Sequence, residues 1–214
     1  MQREIDAIFL DVGNTLRVVV KDEPFQAAAR KQLMELAGTP DPEDIFFKRL
    51  VRNWKAYREW SLGNMAEATE SELWTRFLLP DYPAETITPL ALELTRLWRE
   101  TEGRRIPRLN ARETVNELYH RGYTLGIIAN MITSNEVPDW LKSEGLADYF
   151  RTVVVSTVFG KRKPDPGIFY EALRQAHVDP TRSAYIGDNP ERDVVGSRKA
   201  GFGLVIILLD QEKP

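Results

Sequence analysis

The chain of 214 residues is long enough to bury one large core, or a core domain together with a smaller inserted domain. With 43% hydrophobic and 29% charged residues it has the composition of a soluble globular protein, and a net charge of -3 argues against a nucleic-acid partner. The absence of cysteine excludes disulfides, thiolate catalysis and cysteine-ligated zinc. No apolar run reaches membrane-spanning length, so we expect no membrane partner and a cytoplasmic location.

The first predicted element is a strand over residues 5–10, which stops at Asp11. Four of these six residues are large and apolar, a pattern typical of a strand that is covered on both faces. Ligands of open α/β sheets bind at the carboxyl ends of strands, and the small residues after Asp11 allow backbone N–H groups to turn towards an anion. An ordinary turn with a capping aspartate explains the stretch equally well.

The next part of the chain carries its apolar residues at helical spacing. Four amphipathic helices are predicted, over residues 25–36, 46–57, 73–78 and 87–98. We expect Ser71 to cap the third of these helices and Pro80 to end it. Such helices can close a small bundle, and the polar connectors over residues 17–23 and 102–108 bracket it like the two strands of a hinge.

After Leu109 helices and strands alternate, which indicates a parallel sheet. Four further strands are predicted, over residues 123–129, 152–156, 183–186 and 204–209. The predicted fold class is therefore α/β, with a Rossmann-like parallel sheet core of residues 1–16 and 109–214 and an inserted α-helical bundle over residues 17–108. The two histidines, His120 and His177, each end a helix, and we expect both to be structural.

Polar residues recur in order after the predicted strands, and their pattern resembles the four motifs of the haloacid dehalogenase-like hydrolases. The matching residues are Asp11 with Thr15, Asn130, the KPDP sequence that begins at Lys163, and Asp188 with Asp193. The resemblance covers the whole chain, because the inserted bundle occupies the place where one subfamily carries a helical cap. It implies a parallel-sheet core, a cap that closes over the site, and a small phosphorylated substrate.

The resemblance also implies a role for each matching residue. Asp11 would attack phosphorus and form an aspartyl-phosphate, and Lys163 would be a second catalytic residue that adds positive charge near the transferred oxygens. Mg²⁺ would be held by oxygen ligands, and further residues would bind the substrate. The implied metal ligands are Asp11, the Gly13 carbonyl, Asp188 and Asp193, and the implied substrate-binding residues are Thr15, Asn130 and Gly13. Asp193 could equally cap a helix, and Lys163 could be a solvated charge.

Two positions depart from the pattern of the family's phosphatases. Gly13 stands where a second aspartate would serve as general acid and base, and Ala129 stands where a hydroxyl would bind phosphate. Loss of general acid-base help typically lowers the rate by about 10²–10⁴. The family's dehalogenases do without the metal. Its phosphonatases use a lysine of the cap, and the candidates for such a lysine in this chain are Lys48 and Lys55.

We therefore predict a Mg²⁺-dependent hydrolase of a small phosphorylated molecule, with weak or restricted activity. The alternative is a non-catalytic protein that uses the same site to bind a phosphorylated ligand or a partner. Three residues of the second helix could line the inner face of the cap, although core packing explains the aromatic ones as well. They are Trp54, Tyr57 and Arg58. The sequence identifies neither the substrate nor the oligomeric state.

Overall fold

The computed structural model describes residues 4–209, so the first three and last five residues of the predicted core lie outside the described part. The structure separates into two compact units. One unit consists of the chain up to Val18 and from Ile106 onward, and the other is Val19–Arg105. Among residues 4–209, no helix has the length and apolar character needed to cross a membrane.

The first unit is built on a sheet of five parallel strands. They are β1 (Ala7–Leu10), β4 (Thr124–Ala129), β5 (Phe150–Val155), β6 (Ser183–Gly187) and β7 (Leu204–Ile207), in the spatial order β5-β4-β1-β6-β7. Two further strands, β2 (Arg17–Val20) and β3 (Arg104–Pro107), form a separate two-stranded sheet. β2 and β3 lie within the two predicted connectors. The predicted α/β class with a parallel core sheet and an inserted helical bundle is confirmed.

Ten α-helical segments accompany these strands in the described chain. They are α1 (Glu23–Ala37), α2 (Glu43–Asn64), α3 (Glu70–Glu72), α4 (Ala84–Ile87), α5 (Ala91–Glu100), α6 (Ala111–His120), α7 (Glu136–Ser143), α8 (Ser156–Phe159), α9 (Pro166–Ala176) and α10 (Val195–Lys199). The short α8 begins at Ser156, the last residue of the strand predicted over residues 152–156. The predicted helices ending near His120 and His177 are confirmed as α6 and α9.

Both faces of the central strand β1 are covered, as its apolar sequence predicts. Ile8 and Leu10 belong to a buried cluster that includes Val115 of α6 and Trp140 of α7. On the opposite face Phe9 packs in a second cluster with Phe169 of α9. Helices on both faces fix the sheet between two apolar layers and leave the carboxyl ends of its strands free to carry polar groups.

The helical unit confirms the first two predicted helices and corrects details of the other two. α1 ends at Gly38, which adopts the left-handed conformation common after helices. The N-cap before the third helix is Thr69, not Ser71, because the Thr69 hydroxyl accepts the Glu72 N–H while the Glu72 carboxylate accepts the Thr69 N–H. The following residues, Leu73–Leu78, form wider π-helical turns.

The fourth predicted helix is divided into α4 and α5 by a tight 3₁₀ turn over Thr88–Leu90. Pro89 explains the break, because proline lacks the N–H that a continuous helix needs and its ring crowds the preceding turn. The apolar stripe continues through the break, since Ile87, Leu94 and Leu97 are all buried. Periodicity therefore identified the buried face correctly but not the interruption.

We expect two glycine-to-alanine substitutions to change the stability in opposite directions. A Cβ at Gly126 in β4 would lie 2.5 Å from Cδ1 of buried Phe9, so Gly126→Ala should lower the free energy of unfolding by about 1–3 kcal/mol. At Gly63 in α2 an added Cβ meets no atom within 4 Å, so Gly63→Ala should raise it by about 0.5–1 kcal/mol. Urea denaturation measures both, and equal effects would contradict this account of the core.

Candidate active site

The strands run parallel, and their spatial order brings three of the predicted polar residues to one edge of the sheet. Asp11 follows β1, Asn130 follows β4 and Asp188 follows β6, and β1 is paired on one side with β4 and on the other with β6. The Asp11 N–H donates to the Ile186 carbonyl at 2.8 Å, which continues the ladder beyond the end of β1. The strand order changes direction at β1, which is where ligands bind in open α/β sheets.

Three carboxylates meet at this edge and form what we call the acid cluster, Asp11, Asp188 and Asp193. Each offers an oxygen atom, and these atoms all lie within 4.8 Å of one another. Asp11 is 5% exposed and Asp193 is fully buried, so little solvent screens their charges. A Cβ at Gly187 would lie 2.4 Å from Oδ2 of Asp193, and the close approach of this carboxylate to β6 therefore requires glycine.

Lys163 lies inside the acid cluster and is 1% exposed. Its Nζ atom is 2.8 Å from Oδ1 of Asp11, 2.8 Å from Oδ1 of Asp193 and 2.7 Å from the Tyr185 hydroxyl. An ammonium group has three N–H donors, and these three acceptors account for all of them. Lys163 therefore bridges two of the acids and is not a solvated surface charge.

The pKa values of the buried groups reflect this arrangement. Burial raises the pKa of Asp11 above its usual range, with Lys163 opposing the rise and the Asp193 charge adding to it. Burial also acts to raise the pKa of Asp193, but the charge and hydrogen bond of Lys163, together with the Asn189 N–H, outweigh it and hold that pKa low. Lys163 therefore opposes the effect of burial at both carboxyl groups, and at Asp193 its contribution is part of what outweighs burial.

Tyr185 is a member of the site that the sequence reasoning missed. It lies in β6, is fully buried, and its hydroxyl lies 3.1 Å from Oδ1 of Asp193 as well as 2.7 Å from Lys163. Burial, with the nearby charges of Asp11 and Asp193, raises the pKa of Tyr185 well above its usual value, so the hydroxyl stays protonated. In the sequence it reads only as one apolar residue of a strand.

Asp188 is held at both of its oxygen atoms by residues that the sequence reasoning did not assign to the site. The Asn14 side-chain amide donates to Oδ2 at 2.9 Å, and the Arg192 guanidinium contacts Oδ1 at 3.2 Å. Asn14 adopts a left-handed backbone conformation with φ of 55°, which asparagine tolerates better than most residues. In the sequence, the one hint that Asn14 belongs to the site is that it directly follows Gly13.

Asn130 and Thr15 are both predicted to bind the substrate, but they differ in their hydrogen bonds. The Asn130 amide makes a reciprocal pair with the Lys163 backbone, since its oxygen accepts the Lys163 N–H at 2.8 Å and its nitrogen donates to the Lys163 carbonyl at 3.0 Å. The Thr15 hydroxyl is buried and has no hydrogen-bond partner in the described part of the chain. A buried hydroxyl without a partner is costly, and an acceptor from a bound ligand would satisfy it.

Gly13 and Ala129 sit at the two positions where the sequence departs from the family's phosphatases. Gly13 lies outside the left-handed region, and an added Cβ there would meet no atom within 4 Å. Ala129 is buried at the end of β4 and has no polar side-chain atom to offer a ligand. The space beside Gly13 is therefore open to a larger side chain.

The other residues singled out in the sequence lie in the helical unit. Lys48 and Lys55 are both exposed on α2, whereas an amine nucleophile is typically activated in a desolvated pocket. Tyr57 is fully buried, its hydroxyl donates to the Glu67 carboxylate, and its ring packs against Trp54. Arg58 lies over the Trp54 ring. These contacts support core packing for the two aromatic residues.

The acid cluster has the donor chemistry of a divalent-cation site. Three carboxylates supply hard oxygen ligands, which magnesium and calcium prefer, and a dication would relieve their mutual repulsion. Lys163 and Arg192 partly neutralise the cluster, each by contacts to its oxygens. Because two of the carboxylates are more than nine-tenths buried, the residues present fit a bound cation.

Comparisons with known proteins identify the family that the chain resembles. The family model described as "Haloacid dehalogenase-like hydrolase" matches residues 92–207. A phosphoserine phosphatase of Thermus thermophilus is 31% identical, over 92% of this chain and 86% of its own length. The chain spans about half the length of the bovine "haloacid dehalogenase-like hydrolase domain-containing protein 3", which is 34% identical over 56% of the chain and 46% of its own length.

A solved structure extends the likeness to the three-dimensional fold. A HAD phosphatase from Thermococcus onnurineus superposes with a TM-score of 0.67 and 22% identity, over 98% of this chain and 89% of its own. At this identity the likeness concerns the fold alone. It includes both the parallel sheet and the helical unit, because nearly the whole chain is covered.

We expect Mg²⁺ to stabilise the protein through the acid cluster. A cation present at 100 times its Kd would add about 2.7 kcal/mol to the free energy of unfolding, which corresponds to a Tm rise of about 5–11 °C for a chain of this size. Asp188→Asn should remove most of that rise, whereas Asp148→Asn, the same change at an exposed position, should retain it. Thermal denaturation with and without millimolar Mg²⁺ tests this, and an unchanged Tm of the parent would exclude the site.

Proposed function

Because the chain belongs to the haloacid dehalogenase-like hydrolases, we propose that it is a Mg²⁺-dependent hydrolase of a small phosphorylated molecule that acts through an aspartyl-phosphate on Asp11. The observation that supports this most is the contact of Asp11 with Lys163 inside the acid cluster, at the carboxyl edge of the sheet. The names of relatives, such as the phosphoserine phosphatase, support a small phosphorylated substrate.

The cation would be held by Asp11, the Gly13 carbonyl, Asp188 and Asp193. When bound, Mg²⁺ would offset the repulsion between the Asp11 carboxylate and the anionic phosphate. The orphaned Thr15 hydroxyl is suited to donate to a phosphoryl oxygen. Asn130 supports the site indirectly, because it fixes the backbone of Lys163.

The proposed reaction has two displacements at phosphorus. In the first, an Asp11 oxygen forms a bond to phosphorus while the bond to the leaving oxygen breaks, and that oxygen departs with the electron pair. In the second, a water oxygen bonds to phosphorus, the bond to Asp11 breaks, and inorganic phosphate and the free carboxylate result. The first displacement leaves negative charge on the departing oxygen, and the second requires that the attacking water lose a proton.

Lys163 contributes to these steps through its charge. All three of its N–H donors are engaged by Asp11, Asp193 and Tyr185. A phosphoryl oxygen that accepts a hydrogen bond from Lys163 must therefore replace one of these acceptors. In this proposal Lys163 keeps Asp11 oriented and lowers the electrostatic cost of bringing phosphate to the buried carboxylate.

The absence of a carboxyl group at Gly13 is what restricts the activity in this proposal. An aspartate two residues after Asp11 would protonate the leaving oxygen and then activate water. Without it, an alkoxide must leave unprotonated, whereas an acyl phosphate or nitrophenyl phosphate expels a stable anion. The second displacement should also be slow, so the aspartyl-phosphate should accumulate.

We expect turnover to depend steeply on the leaving group. Nitrophenyl phosphate should be cleaved much faster than sugar phosphates, and acid quenching should trap a phosphoenzyme that Asp11→Asn cannot form. Rates measured against leaving-group pKa, together with acid-quench trapping, test this. Equal rates for both substrate classes with no trapped intermediate would show that another group supplies the proton. Mg²⁺ binding without turnover or intermediate on any substrate would favour the non-catalytic alternative.

Gly13→Asp should restore part of both displacements, because the added side chain has room and the backbone there lies outside the left-handed region. We expect a gain of up to about 10²-fold on sugar phosphates and a smaller amount of trapped phosphoenzyme. Gly63→Asp is the matched control, since its added Cβ also meets no atom within 4 Å but lies in the helical unit. A gain in both variants, or in neither, would contradict the role assigned to position 13.

The same proposal gives the helical unit, Val19–Arg105, the role of a substrate-selecting cap with hinges in the connectors. If β2 and β3 act as hinges, binding of a phosphate analogue with Mg²⁺ should slow their amide hydrogen exchange. Mass spectrometry of exchange at residues 17–20 and 104–107 measures this, and α9 of the first unit is the internal reference. Equal exchange with and without a bound analogue would argue for a fixed cap.

A further inference from the structure

The turn after Asp11 places an asparagine where glycine would meet less backbone strain. Asn14 has φ of 55°, a conformation that glycine adopts without penalty, while Gly13 beside it lies outside the left-handed region. The Asn14 N–H donates to the Arg17 carbonyl at 2.8 Å, and its own carbonyl accepts from Arg108 at 2.6 Å. The backbone on both sides of the Asn14 side chain is therefore fixed.

The Asn14 side chain extends from this turn to Asp188, a member of the acid cluster. Its amide nitrogen donates to Oδ2 of Asp188 at 2.9 Å, across 174 positions of sequence. The amide is neutral, so it can remain on this oxygen when a cation is bound to the carboxylate. It thereby restricts rotation of the Asp188 carboxylate and leaves Oδ1 as the oxygen that Asn14 does not contact.

The second contact to Asp188 brings a positive charge to the carboxylate, and this charge opposes cation binding. Arg192 contacts Oδ1 at 3.2 Å and is one-third exposed, so a positive side chain occupies the oxygen that Asn14 leaves available. A divalent cation on Oδ1 must displace the guanidinium or share the oxygen with it. The two neighbours of Asp188 thus differ, since Asn14 orients the ligand atom and Arg192 competes for it.

We propose that Asn14 is a positioning residue that presents Oδ1 of Asp188 to the divalent cation, and that Arg192 is the counterion which the cation displaces. The inference rests on the proposed function, because it assumes that the acid cluster binds Mg²⁺. It goes beyond that function by assigning two residues outside the acid cluster to the control of cation affinity. Neither Asn14 nor Arg192 is required to touch the substrate.

The test compares Mg²⁺ affinity in four proteins by isothermal titration calorimetry and by the Mg²⁺ dependence of Tm, without any activity assay. Asn14→Gly keeps the backbone conformation and removes the amide, and should weaken binding by about 10- to 100-fold. Arg192→Gln removes the competing charge and should tighten binding, by up to about fivefold for a partly exposed ion pair. Loss of folding alone could not produce changes of opposite sign.

Asn110→Gly is the matched control, because Asn110 is an exposed asparagine of the same unit with φ of 62°. It should bind Mg²⁺ with the affinity of the parent. If the parent and Asn14→Gly bind equally, the positioning role is wrong while the proposed function stands. Weaker or unchanged binding by Arg192→Gln would overturn the counterion role, and a parent that binds no Mg²⁺ would overturn the cation site itself.

Discussion

Crowding of like charges at the carboxyl edge of the sheet governs how the polar groups of the candidate active site are arranged. Three aspartates bring oxygen atoms within 4.8 Å of one another, and two of them are almost wholly buried. Such a cluster is unfavourable unless positive charge is placed inside it. Lys163 supplies that charge with all three N–H donors engaged, and Asn130 and Tyr185 hold its backbone and its ammonium in place.

In the proposed function, the groups that would face a ligand differ from the groups that hold them in place. Asp11 and Thr15 come from the turn after β1, and the Thr15 hydroxyl is left without a partner among the described residues. Tyr185 and Asn14 instead spend their polar atoms on Lys163, Asp193 and Asp188. Supporting hydrogen bonds of this kind orient ligating carboxylates and contribute to affinity without touching the ligand.

In the proposed function, Gly13 marks a scaffold that keeps the nucleophile and lacks the second carboxyl group. An added Cβ at Gly13 would meet no atom within 4 Å, and the backbone there lies outside the left-handed region. The left-handed position of the turn falls on Asn14, whose side chain takes up a contact to Asp188. In the proposed mechanism the missing carboxyl group affects the two proton transfers, while Lys163 and the three carboxylates of the acid cluster are retained.

Sequence reasoning predicted the parallel sheet and the helical bundle, because apolar periodicity is a local property. The polar residues after successive strands, together with the family resemblance, indicated which residues meet at the sheet edge. Sequence reasoning assigned the cap to Ser71 rather than Thr69, although Thr69 and Glu72 have the spacing of a capping box. It could not assign Tyr185, Asn14 or Arg192 to the site. Their contacts depend on which side chains packing brings together, and Asn14 and Asp188 are 174 positions apart in the chain, so only the folded structure decides them.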